Sequence, residues 1–530
     1  VRYAAEVKVR PGTQKSNSTS LAAPVGGLNA RDSIANMKPT DAIILENYFP
    51  NTTSVDVRNG YSAWSTFTGL AQSILVYSGL TSTKVFPCVK NGSTYSIYNG
   101  TTAGALSTAV VGGGGATVQA LTSCRFDYVQ YGTDGGSFLR IVNGADTAIG
   151  YDGTTWTTVT LTHASLASTD DLFTVGVFGE RLWFAEKDTF NVFYLPVRTV
   201  SGAMERLNLG SWFKLGGYLN SIITLTDDAS GLVDYICFLS SEGEVLAYTG
   251  SAGVSDPAVA ANWIQAAHFR IGRPVIKGNR TWCKYGVDAL VLCADGVYPL
   301  RKAFASQTRD GTLAVSDKIR SLLNYDILTH GSKYGWTCMV HPTGSKLIVN
   351  VPTAEDSASY QWVMHTNDQA WCKFAGWSAF CFEVARDTLW MGMNGKMVKA
   401  DTGAIDGTTA ITAEAKQAFN YLGRRGSAKH VKMLRPILSS NGAFSLSVSV
   451  DVDYTNTDPT YLRAVSGGSG DPWGGIWDVA WLGSMTLQSN WYGVTGVGHS
   501  MAVHLKSQTS DVSLSWSATD IVYEGGGILA

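Results

Sequence analysis

Histidines and carboxylates are the first residues to weigh for chemistry. The eight histidines, His163, His268, His330, His341, His365, His430, His499 and His504, include no HExxH or comparable frame for zinc. His499 and His504 would fall on opposite faces of an uninterrupted strand. Acidic pairs occur at Asp170-Asp171 and Asp227-Asp228 and, alternating, at Asp451 and Asp453. The last pair has the best spacing for Ca²⁺ or for acid–base work, because i and i+2 share a strand face. A solvated polar face is the favoured reading of this pair. The run VVGGGGATVQ lacks the lysine and the strand-to-helix context of a phosphate loop, and Gly344-Ser345-Lys346 lacks the preceding glycine pattern. No GxSxG elbow anchors a Ser/His/Asp triad. The sequence therefore predicts no catalytic, metal or cofactor-binding residue and no cofactor.

Two constellations remain. The segment GRRGSAKHVK gathers Arg424, Arg425, Lys429 and Lys432, which would suit a phosphate backbone, a neighbouring acidic surface or a solvated turn. Arg31, Lys38 and Arg58 admit the same readings. The 16 Trp, 23 Tyr and 19 Phe would suit a sugar-binding groove. Trp156, Trp183, Trp212, Trp263, Trp282, Trp336, Trp362, Trp371, Trp377 and Trp390 instead recur through strand-like units, where large side chains fill the space between sheets. The cysteines Cys88, Cys124, Cys237, Cys283, Cys293, Cys338, Cys372 and Cys381 form no close CxxC pair and read as buried thiols, with Cys372 and Cys381 a pair only if a turn joins them.

The elements that would position these residues are strands. Charged residues make up only 15% of the 530-residue chain, and 57 glycines accompany abundant Thr, Ser and Asn, the usage of short strands and tight turns. The formal charge of -2 excludes a global polycation. No run of 18 apolar residues occurs and the first twenty residues lack an apolar core, so neither a membrane-spanning helix nor a secretory leader is expected, and synthesis is expected in the cytoplasm.

Residues 1–20 read as a flexible arm, and 21–70 as a docking segment with a short helix near Asp41 to Asn47 capped by Thr40. Residues 71–411 carry coarse units, among them TKVFPCVKNGSTYSIYNG, DLFTVGVFGERLWFAEKDTFNVFYLPV, GSKLIVNVP and AFCFEVARDTLWMGMNGKMVKADTG. Their spacing of roughly 40 to 50 residues is that of propeller blades. Inserts at 251–265 and 301–330 interrupt them, the second with a helix from Ser316 through Leu323. In residues 412–530, Phe444, Leu446, Val448, Val450 and Val452 alternate with Ser and Asp, predicting an antiparallel sandwich-like domain. The expected fold is all-β, a six- or seven-bladed propeller followed by that domain.

The segment GGLNARDSIANMKPTDAIILENYFPNTTSVDVRNGY, through Gly26, Gly27, Asn29, Asp41, Asn47 and Arg58-Asn59-Gly60-Tyr61, resembles the opening of the tail nozzle, or tail tubular protein B, family of short-tailed bacteriophages. GRRGSAKHVKMLRPIL and VTGVGHSMAVHLKSQTSDVSLSWSATDIVYEGGGIL are similar to its closing domain. The resemblance implies a non-enzymatic virion protein in the distal tail. It implies a homohexameric ring beneath the adaptor, bearing fibres or spikes and touching viral DNA transiently and non-specifically as the genome leaves, with no stable membrane anchor. The alternatives are a carbohydrate-binding virion or adhesin protein and a β-propeller glycoside hydrolase. The hydrolase would need converging carboxylates at one propeller end and an aromatic-lined cleft.

Overall fold

Strands dominate because β-branched and aromatic runs alternate with Gly, Asn and Asp turns. The computed structural model describes residues 16–80, 82–113, 118–226, 234–250, 256–259, 263–276, 278, 280–306, 314–459, 462–466 and 486–525. Most of the arm, Asp227-Asp228, the centre of the glycine run, parts of both inserts and the Gly/Trp-bearing connection after Ser466 lie outside the described residues. Two compact units emerge, one from the segments up to Val57 and from Ala410 onward, the other spanning Arg58–Thr409. Among the described residues no helix is long and apolar enough to cross a membrane.

The Arg58–Thr409 unit has a propeller-like arrangement. Four consecutive sheets stand alone as blades. The first runs Asp127–Thr133, Gly136–Val142, Ile149–Tyr151 and Trp156–Thr158. The second runs Leu172–Phe178, Arg181–Glu186, Asn191–Tyr194 and Glu205–Asn208. The third runs Leu219–Thr226, Asp234–Ser240, Glu244–Gly250 and Trp263–Arg270. The fourth has Trp282–Tyr285, Asp288–Cys293 and Gly296–Pro299, followed by the helix α1, Leu300–Ser306.

Four blades, not six or seven, is the first correction. The strand Tyr61–Ser78 is long enough to pair with Thr388–Ala400 through its first half and with Thr83–Asn91 through its second. The first and last expected units thereby merge into one seven-stranded sheet. The GSKLIVNVP unit lies in the Thr337–Phe374 meander.

Adjacent sheets bury their facing sides. Between the second and third blades Trp183 stacks on Tyr194 at 4.9 Å and on Trp263 at 5.4 Å, with Phe238 and Leu246 in the same cluster. Trp183, Trp336, Trp371 and Trp377 are fully enclosed, so the aromatic recurrence is core packing at these positions, while Trp212 is 49% exposed. Truncating one such enclosed aromatic to alanine costs about 3–5 kcal/mol. The insert helix α2 spans Arg320–His330 behind a 3-10 turn, with Ile319 and Leu323 buried. Its expected serine cap is absent: the Ser316 hydroxyl instead accepts from the Val297 amide at 2.9 Å.

The unit made from both chain ends holds antiparallel sheets. Leu514–Gly525 lies between Ser16–Ala22 and Lys429–Ser440, which also pairs with Tyr492–Gly498. In a second layer Met501–Thr509 lies between Ile411–Gln417, itself paired to Asp41–Glu46, and Phe444–Val452. Tyr48 ties the layers, its ring 6.3 Å from Trp516 and its hydroxyl 2.8 Å from Ser507 Oγ. The helix expected near Asp41 to Asn47 is a strand, because the Ile43-Ile44-Leu45 run finds an antiparallel partner and tertiary pairing overrides the cap signal.

Candidate functional site

Charged side chains meet in the propeller-like unit where Asp127, Arg280 and Glu383 converge. Asp127 opens the first blade, Arg280 is held extended by a bridge to Thr337 just before the fourth, and Glu383 sits within Cys381–Ala385. They border a cavity of about 510 Å³ whose walls include Tyr128, Val175, Ile222, Trp282 and Met339. A second cavity of about 220 Å³, reaching Arg125, Asn143, Asn220 and Tyr334, shares Asp127 and Trp282 with it.

Each carboxylate is occupied. Asp127 accepts from the Thr174 hydroxyl at 2.6 Å and from the Val175 and Tyr128 amides at 3.1 and 2.9 Å, with Arg280 Nε 3.7 Å away. Glu383 accepts from Arg280 Nη1 at 3.2 Å, from the Val384 amide at 3.3 Å and from the Tyr128 hydroxyl. Arg280 also donates to the Tyr128 carbonyl at 2.9 Å and lies 4.2 Å from that ring's centroid. Burial pushes both carboxyls above their usual range, with Arg280 pulling against it. For Arg280 burial acts downward, yet Glu383, Tyr128 and Asp127 together leave the guanidinium raised. One cation thus serves two poorly solvated acids. Such an array suits a fixed, low-dielectric brace; hydrolysis needs two carboxyls free to face a bond and a water.

The residues singled out in the sequence are dispersed. Asp451 is buried on Phe444–Val452, 2.6 Å from Lys416 Nζ and 3.2 Å from His504 Nδ1, whereas Asp453 lies past the strand end at φ 44° and accepts from the His499 and Ser500 amides. This corrects the reading of one solvated acidic face: the chain turns after Val452, and Asp451 points inward to Lys416 and His504 on neighbouring strands. His499 precedes its strand, so the two histidines do not share one. Asp170 accepts from Thr147 Oγ1 at 2.8 Å, and Asp171 pairs with Lys187 at 3.0 Å.

The basic cluster does not form one patch. Lys429 is 2% exposed and donates to the carbonyls of Arg424, Ser427 and His499, and burial lowers its pKa. Arg425 donates to Asn36 Oδ1 and lies over Tyr421, and Lys432 faces Glu524 at 3.5 Å. Arg31 pairs with Asp32, and Arg58 is enclosed, forked onto Asp406 at 2.8 and 2.6 Å and packed against Trp377. The cysteines are free thiols, all buried except the half-buried Cys283, whose sulfur lies 3.6 Å from that of Cys338. Cys372 and Cys381 do not pair; they donate to the carbonyls of Val363 and Ala71. Among the described residues no group of His, Cys, Asp and Glu is placed to hold a metal ion.

Sequence reasoning passed over Asp127, Arg280 and Glu383. The available signal was a single acid inside an apolar strand core, in CRFDYVQYG and AFCFEVA.

No protein-family model and no curated protein matches the chain. Solved structures that resemble it include BBS1N in complex with ARL6DN, at 10% identity and TM-score 0.38, covering 66% of this chain and 99% of that one. An exo-beta-1,3-galactanase from Phanerochaete chrysosporium matches at 9% identity and TM-score 0.25, over 78% and 99% of the two chains. A glycoside hydrolase family 43 arabinoxylan arabinofuranohydrolase from Bacillus subtilis matches at 9% and 0.26, over 87% and 96%. These TM-scores are too low to carry a residue role or an activity to this chain.

Proposed function

We propose that this chain is a structural subunit of the tail nozzle of a short-tailed bacteriophage, closing as a homohexamer around the path of the genome. In that role it retains packaged DNA and conducts it during ejection, beneath an adaptor ring and beside fibres or spikes. The observation that carries this reading is where the resembling segments fall. The resembling stretches 26–61, from 423 and from 494 lie far apart in sequence, yet all but Arg58-Asn59-Gly60-Tyr61, which fall in the other unit, belong to one compact unit. Their signature residues have structural tasks there: Asn29 donates to the buried Asp41 at 2.7 Å, and Asn47 takes φ 56° and donates to the Thr412 carbonyl at 2.8 Å. A side chain at Gly26 would meet Asp41 Oδ1 at 2.3 Å.

The near-balanced charge supports the same reading, since a conduit must not grip phosphates through many simultaneous cation contacts. The sparse charge also suits extensive subunit burial, because interface cores are depleted in charged groups. Sedimentation of the full chain, alone and with adaptor-bearing tails, tests it. Assembly at six times the chain mass is expected, and a chain that remains single in both conditions contradicts the ring.

One observation favours the hydrolase alternative: two carboxyls with raised pKa lie at a cavity bordered by Trp282. Hydrolysis of aryl glycosides lost in Glu383→Gln would support it. Their engagement by Arg280, Thr174 and backbone amides supports the structural reading instead.

A further inference from the structure

Two cysteines meet at the seam between the fourth blade and the meander that follows it. Cys283 lies on Trp282–Tyr285 and Cys338 on Thr337–His341, 55 residues apart in sequence, with their sulfurs 3.6 Å apart. Each strand pairs within its own hairpin, Trp282–Tyr285 with Asp288–Cys293 and Thr337–His341 with Lys346–Ala354. Between the hairpins the backbone contributes a bridge from Arg280 to Thr337 and a bond from the Cys338 amide to the Arg280 carbonyl at 2.8 Å. Beside this short tie the two sulfurs touch.

The pair differs from the other thiols. Cys88, Cys124, Cys372 and Cys381 are buried and direct their S–H groups at backbone carbonyls. Cys283 and Cys338 face each other instead, and both border the cavity of about 510 Å³ at Arg280. Cys338 is 1% exposed whereas Cys283 is half-buried, so a small reagent in the cavity reaches Cys283 first. Contact with Cys338 and burial push the Cys283 thiol up, which slows its attack at neutral pH without removing it. A disulfide needs the sulfurs to close to about 2.0 Å, and sulfurs already in contact leave a distance that small side-chain rotations cover.

We propose that Cys283 and Cys338 are a redox-sensitive pair that a low-molecular-weight disulfide converts into a crosslink between the fourth blade and the Thr337–Phe374 meander. The Cys283 thiolate attacks one sulfur of the reagent and releases the other half; Cys338 then attacks the Cys283 sulfur and releases the second half. Two protein thiols are oxidised to one disulfide, the reagent is reduced to two thiols, and the two cysteine protons end on them. The crosslink closes the stretch that carries α1 and α2 and staples the seam. It goes beyond the nozzle reading and does not depend on it.

Treatment of the native full chain with bis(hydroxyethyl) disulfide at about pH 8.5 tests it, followed by acid quenching and peptide mapping by mass spectrometry. Free thiols counted in denaturant should fall from eight by one pair, with the Cys283 and Cys338 peptides joined until a reductant is added. The oxidised chain should melt about 2–5 °C higher and fall back on reduction. Cys338→Ser should hold one stable hydroxyethylthio group on Cys283, and Cys283→Ser should leave Cys338 unmodified. Because the wild-type chain gives the primary readout, the test survives a variant that fails to fold. The proposal is overturned if all eight thiols persist, if wild-type Cys283 keeps the adduct without joining Cys338, if the crosslink forms only in denaturant, or if the crosslinked chain melts no higher.

Discussion

Two ion clusters, one in each unit, each set an Asp and a Glu against basic side chains, arginine in one and lysine and histidine in the other, and they shift acids in opposite directions. In the propeller-like unit, Arg280 serves both Asp127 and Glu383, and burial raises both acids. In the unit formed from the chain ends, Lys416 meets Asp451 at 2.6 Å, His504 places its ring nitrogens 3.2 Å from Asp451 and 3.0 Å from Glu414, and Lys506 lies 3.3 Å from Glu414. There the bond from His504 outweighs burial and lowers Glu414. The deeper cluster is the better compensated one, with Asp451 wholly enclosed and Lys416 3% exposed, against 29% for Arg280. Glu414 is also the shallower acid, 25% exposed against 10% for Glu383, so its basic partners and its lighter burial act together on the direction of its shift.

The comparison breaks first at Asp451. Replacing it with alanine leaves Lys416 enclosed beside His504 without their acid, and denaturant unfolding should show a loss of about 3–5 kcal/mol. Arg280→Met should cost less, about 1–3 kcal/mol, because the guanidinium is partly solvated and its two acids can take up protons. That penalty should shrink on acidification, as the two acids take up protons.

The pH dependence sharpens the contrast in sign. Asp127 and Glu383 bind protons more tightly folded than unfolded, so their contribution falls as pH rises from the ordinary carboxylate range through their raised values. Glu414 is lowered, so its contribution stands above the ordinary range and is lost as pH falls through its folded value. Thermal unfolding from about pH 3 to about pH 7, the span of carboxylate titration, should therefore flatten on the neutral side in Glu383→Gln and on the acid side in Glu414→Gln. Smallest of all, Arg424→Ala at an exposed turn should change stability by no more than about 0.5 kcal/mol.

Much of the fold was legible where pattern and partner agree. The alternation through Phe444 and Leu446 marks a strand, and the enclosed Trp183 packs as a recurrent blade aromatic should. Legibility ended where pairing reaches across sequence. Tyr61–Ser78 joins units that read as separate blades, and the Asp41–Glu46 strand finds its partner at Ile411–Gln417. Charged residues were the least legible. Arg58, Lys429 and Asp451 read as surface groups, yet each is buried against Asp406, three backbone carbonyls, or Lys416 and His504 respectively. Their chemistry depends on neighbours tens to hundreds of residues away or on loop carbonyls, which no local spacing encodes. For the same reason Asp127, Arg280 and Glu383 acquire meaning only when the sheets converge.

Electron-microscopy class averages of the full chain bound to adaptor-bearing short tails test the central claim most directly. The nozzle account predicts a sixfold ring with an axial channel. Isolated single subunits that remain unassembled on the tail would contradict it.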